Sequence, residues 1–118
     1  MKVSDYSIQL YEIKCMMMEV LKDSDGDAGF TKSHVNKCVN LLKSYLRDLC
    51  KLDAPTNESI MACVKKTVLA INDLSEATDC SMIETMEREA IWEVIQTAAV
   101  DCGLKNPPDD VTGEWRDW

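Results

Sequence analysis

The chain is 118 residues long, 46% apolar and 29% charged, with 21 Asp and Glu against 13 Lys and Arg for a formal charge of −8. That length suits one globular domain able to bury a core unaided, and no apolar run reaches the roughly 18 residues that crossing a bilayer requires. Through Asn72 nine acids meet ten Lys and Arg, whereas from Asp73 onward twelve acids meet only Arg88, Lys105 and Arg116; a field of that sign repels phosphate backbones and attracts basic protein surfaces, so nucleic-acid binding is not expected.

The first helix is expected over about Ser4–Lys22, where Tyr6, Leu10, Ile13, Met17, Val20 and Leu21 recur every three or four residues. Three consecutive methionines, Met16 to Met18, widen its apolar face, either as gap-filling core or as an adaptable binding surface. The second begins at Thr31, a suitable N-cap. Val35, Cys38, Val39, Leu42, Tyr45, Leu46, Leu49 and Leu52 then form a seam sustained over about five turns. The stretch from Asp53 to Asn57, with Pro55 inside it, stops that helix, because proline suits a helix start and not its interior.

The third helix runs to about Ala77 and buries Ile60, Val64, Thr67, Val68, Ile71 and Leu74. After the link Asp79-Cys80, Ser81 with Glu84 three residues on reads as a capping box that starts the fourth helix. That helix buries Ile83, Ala90, Ile91, Val94, Ala98 and Cys102 and ends at Gly103, a residue suited to the left-handed position after a helix. Strand signals and internal repeats are absent. Short links between helices of this length predict an all-α, single-domain antiparallel bundle of about four helices over 1–103. An irregular acidic C-terminal tail, 104–118, follows and is expected to dock on the bundle.

The six cysteines are widely scattered, with no C-x-x-C and no zinc-type Cys/His spacing, so reduced thiols on apolar faces are expected and no cofactor is implied. The N-terminus has no basic region leading into a long apolar stretch, and the chain reads as cytoplasmic.

Four features invite a chemical reading. Asp23, Asp25 and Asp27 stand at positions 1, 3 and 5 of a loop similar to an EF-hand, but Ala28 and His34 replace its glycine and its bidentate glutamate, and turn-forming Asp and Gly explain the loop equally. His34, the sole histidine, precedes Cys38 by one helical turn; without a phosphate loop, a nucleophile elbow or a second histidine no catalysis is expected. Glu87 falls between Ile83 and Ile91 on a face that ought to be buried, which requires a bundle end, a salt bridge or an external partner. Finally, Glu89 and Glu93 flank Trp92, while Trp115 and Trp118 lie three apart in the tail; each aromatic either packs internally or anchors an interface.

In size, helical makeup, acidity and cytoplasmic address the whole chain resembles bacterial immunity proteins. That resemblance implies a non-enzymatic inhibitor that binds a cognate toxin, often over its active site; no residue role is carried over from it. Charge and aromatic placement independently put the expected partner-binding residues at Glu84, Glu87, Glu89, Trp92, Glu93, Asp109, Asp110, Glu114, Trp115 and Trp118. Two other readings stand beside this one. The first is a homo-oligomeric structural or regulatory subunit whose Met and Leu faces pair between copies, and the second is a weak calcium-binding module using Asp23, Asp25 and Asp27.

Overall fold

The computed structural model describes residues 1–118 and contains four α-helices and no strand. They are α1 (Ser7–Asp23), α2 (Lys32–Cys50), α3 (Asn57–Ala77) and α4 (Thr85–Asp101), with a short 3-10 helix over Val3–Tyr6 leading into α1. Each helix packs on the next, α1 also packs on α4 and so closes the ring, and α2 meets α4 across the middle. Up-and-down order follows from single contacts. The Tyr6 hydroxyl, at the start of α1, donates to the Asp101 carboxylate at the end of α4. Asn57 at the start of α3 bonds Lys105 just beyond α4.

The helix with the cleanest sequence pattern supplies most of the core. Val35, Cys38, Val39, Leu42, Tyr45, Leu46 and Leu49 of α2 are all buried, and Leu52 lies half-buried just past its end. Tyr45 is the bulkiest side chain in the deepest layer; its hydroxyl escapes the cost of burial by donating to the Ile95 carbonyl at 2.8 Å. Burial accordingly pushes this phenol well above its ordinary range. Met17 is fully buried and Met16 and Met18 half-buried, so the methionine run is largely absorbed by the chain's own core.

Helix ends were harder to read. Thr31 does cap α2, but its partner is His34: the Thr31 hydroxyl accepts the His34 backbone N–H, and His34 Nδ1 accepts the Thr31 backbone N–H at 3.0 Å. The imidazole thus fills the place that Glu or Gln takes in a capping box. Cys38 beside it is completely buried, its thiol pushed up to about 12 by burial, which leaves it an inert packing group. Other cysteines depart from expectation: Cys15, Cys50 and Cys80 are exposed and only Cys63 and Cys102 are partly covered.

The capping box expected at Ser81 does not form. Helix α3 ends in a Schellman turn, with the Asp79 N–H donating to the Glu76 carbonyl and the Cys80 N–H to the Ser75 carbonyl. Asp79 and Cys80 both adopt left-handed backbone, with φ of 50° and 59°. Ser81 is drawn back into that turn, its hydroxyl donating to the Thr78 carbonyl at 2.6 Å, and is no longer free to cap anything. Met82 and Ile83 then plug the end of the core in irregular conformation, and α4 starts at Thr85 behind an extended Glu84. By contrast α4 ends as expected. Gly103, at φ 115°, completes a second Schellman turn in which the Leu104 N–H reaches the Ala99 carbonyl and the Leu104 side chain is buried.

The Asp- and Gly-rich loop serves packing. Asp23, Asp25 and Asp27 are all exposed, and no group of three or more acidic, Cys or His side chains converges on a cation position. Phe30 anchors the loop in the core, and Gly29 passes so close to the α3–α4 link that a Cβ there would stand 2.6 Å from Ser81 Oγ. Gly29→Ala should therefore lower stability in urea unfolding by about 1–3 kcal/mol, combining a clash with left-handed strain. Gly26→Ala, equally left-handed but facing open space, should lose less.

Candidate functional site

Past Leu104 the tail has no helix of its own, so the peptide groups that its short turns leave free need outside partners. Three carboxamides on the bundle supply them, each acting as donor and acceptor at once. Asn57 Nδ2 donates to the Lys105 carbonyl while its Oδ1 accepts the Lys105 N–H, both at 2.9 Å. Gln96 does the same between Pro108 and Val111, again at 2.9 Å. Asn72, buried in α3, donates to the Trp115 carbonyl at 2.7 Å and accepts from the Asp117 N–H at 3.1 Å. Sequence periodicity gave no hint of these residues; the one signal was a polar Asn72 beside Ile71 on a buried face.

The last nine residues are folded around Asp110. Its carboxylate accepts the Thr112 backbone N–H at 2.9 Å and the Thr112 hydroxyl, and pairs with Arg116 at 3.0 Å. Arg116 also donates to the Trp118 carbonyl and lies over the Trp118 ring, 5.3 Å from its centroid. Trp118 is buried in the core, and Trp115 is half-buried beneath Lys65, whose ammonium stands 5.9 Å from the ring. Both tail tryptophans therefore lie against the bundle. Partial burial raises the Asp110 carboxyl, but Thr112 and Arg116 outweigh it and hold the group below the usual carboxylate range.

This fold of the tail creates a cleft of about 210 Å³ against α4, lined by Arg88, Glu89 and Trp92 on one side and Asp109, Asp110 and Arg116 on the other. Four expected partner-binding residues, Glu89, Trp92, Asp109 and Asp110, meet in it, and Arg88 and Arg116 join them. Two of its donors, Arg88 Nε and Trp92 Nε1, are shielded from solvent and have no hydrogen-bond partner. A shielded N–H without an acceptor is costly, so both groups are weak points in the wall of the cleft. No hydroxyl, thiol or imidazole lines the cleft.

The remaining candidates lie around it or elsewhere. Glu93 is exposed one turn beyond Glu89 on the same helix, Glu84 is exposed at the N-terminus of α4, and Glu114 is exposed on the tail. Glu87 is buried in the first turn of α4 with no ion pair. The chain has only two ion pairs, Asp48–Lys66 and Asp110–Arg116. Eleven of the twelve acids from Asp73 onward thus carry unpaired charge. Protein-family models, curated proteins and solved structures offer no match to this chain.

Two outcomes follow for the tail. Asn72→Leu leaves two backbone groups without partners and should cost about 1–3 kcal/mol for each in urea unfolding, with tryptophan emission shifting to the red as the tail loosens. Asp110 has a lowered folded-state pKa, so its contribution is complete above the unfolded value near about pH 4 and fades as pH falls through the lower folded one. The stability gap between wild type and Asp110→Asn should accordingly be constant from neutral pH down to about pH 5 and shrink below about pH 4 in pH-dependent denaturation.

Proposed function

We propose that this chain is a non-enzymatic, acidic protein-binding module that uses the α4–tail cleft and the carboxylates around it against a basic surface of another protein. The observation that carries the reading is the meeting of Trp92 with the unpaired acids Glu89 and Asp109 in one cleft. A lysine or arginine of the partner would lay its stem on Trp92 and its charge between Glu89 and Asp109. Trp and Arg dominate the energetics of protein interfaces, and surrounding charge of one sign accelerates encounter with a partner of the other. In this reading the module acts as a cytoplasmic inhibitor of the immunity type, neutralising a basic partner such as a toxin.

Affinity capture from the source cells tests it. Wild-type bait should retain a basic protein that is lost with Glu89→Lys/Glu93→Lys/Asp109→Lys and retained with the control reversal Glu12→Lys/Glu19→Lys on α1. Trp92→Ala should weaken the recovered complex by about tenfold or more, as expected for an interface anchor. Retention of the same protein by the cleft reversal would remove the cleft from the binding surface.

A further inference from the structure

The face turned away from that cleft carries the opposite charge. Along α2, the exposed side chains include Lys32, Lys37, Arg47 and Lys51, whereas its single acid, Asp48, is neutralised by Lys66. Beside this strip runs a groove between α1 and α2 of about 470 Å³, more than twice the volume of the α4–tail cleft. Its apolar contacts come from Val3, Leu10 and Val39. Lys14 and Lys43 also line it, both half-buried and neither engaged in an ion pair. None of the ten lining residues is Asp or Glu, although the chain carries 21 of them.

The hydrogen-bonding complement has the same sense. Asn36 and Asn40 line the α2 wall one turn apart, both exposed. Tyr11, 68% exposed, stands at the α1 rim, an aromatic residue beside the apolar floor. Groove volume of this size is that of small-molecule sites, which combine apolar lining with a few polar groups that fix orientation. Two lysines outside any ion pair, in a groove whose lining holds no carboxylate, favour an anion.

We propose that the α1–α2 groove binds a small amphiphilic anion, a carboxylate or phosphate head between Lys14 and Lys43 with a short apolar body against Val3, Leu10, Val39 and the Tyr11 ring. This site is independent of the protein-binding cleft. It concerns different helices and a ligand of opposite charge.

Titration calorimetry of the full chain with decanoate, decyl phosphate, decanol, inorganic phosphate and a single-stranded RNA oligomer is decisive. Decanoate or decyl phosphate should bind one molecule per chain, and the stronger of the two identifies the head group. Lys14→Ala/Lys43→Ala should weaken that binding by about tenfold or more, and Tyr11→Ala by a smaller factor, while unfolding curves show all variants folded. The proposal is overturned by decanol binding as tightly as decanoate, since charge would then be irrelevant, or by inorganic phosphate matching decyl phosphate, since the apolar floor would be. It is equally overturned by no binding of either amphiphile, by binding that survives loss of both lysines, or by RNA as the sole ligand.

Discussion

A peptide segment laid against a protein without forming helix or sheet must still satisfy its N–H and C=O groups, and in this chain the C-terminal tail meets that demand with its own turns between Asp110 and Arg116 and, against the bundle, with three carboxamides. Asn57, Gln96 and Asn72 each imitate a peptide unit, giving one hydrogen and taking one in return. The spacing of their contacts along the tail, at Lys105, at Pro108 and Val111, and at Trp115 and Asp117, fixes its path over the α3 and α4 side of the bundle. Leu104, Val111, Thr112 and Trp118 are buried along that path. The cleft beside Trp92 exists only because the tail is held there, so the amide contacts are a precondition of the candidate site as well as of stability.

Charge is organised by the same arrangement. The helix order sets α2 and α4 across the bundle from each other, so the lysine-rich outer face of α2 and the acidic surface of α4 and the tail point in different directions. A net charge of −8 conceals this polarity. Within the acidic surface the one internal ion pair, Asp110–Arg116, is a structural element of the tail, and the other carboxylates, the buried Glu87 apart, remain open to solvent or to a partner. Surface pairs of this kind add little to stability by themselves; the weight of Asp110 lies in the additional hydrogen bonds from Thr112.

Where local signals failed, a competing local interaction had taken the side chain. Ser81 and Glu84 have the spacing of a capping box, but a hydroxyl can satisfy only one geometry at a time, and the sharp left-handed turn at Asp79 and Cys80 aims it at the Thr78 carbonyl. Conversely, His34 lacked any capping signature and caps α2 through Nδ1. The Asp-rich loop has calcium-like spacing, but Phe30 and the tight passage of Gly29 past Ser81 dictate its conformation.

Helix number, the all-α class and the identity of nearly every core residue on α2 and α3 were determined by the sequence itself, because burial of one face imposes a 3.6-residue period that no tertiary detail can disguise. The uneven charge and the grouping of acids with Trp92 were equally plain in the linear order. Only the tertiary structure decided which of those residues meet. It buried Glu87 and Trp118, left Glu84, Glu93 and Glu114 exposed apart from the cleft lining, and joined Glu89, Trp92, Asp109 and Asp110 with Arg88 and Arg116. Contacts between α4 and an irregular tail have no period to read, since they depend on where three amide side chains hold a backbone that forms neither helix nor strand.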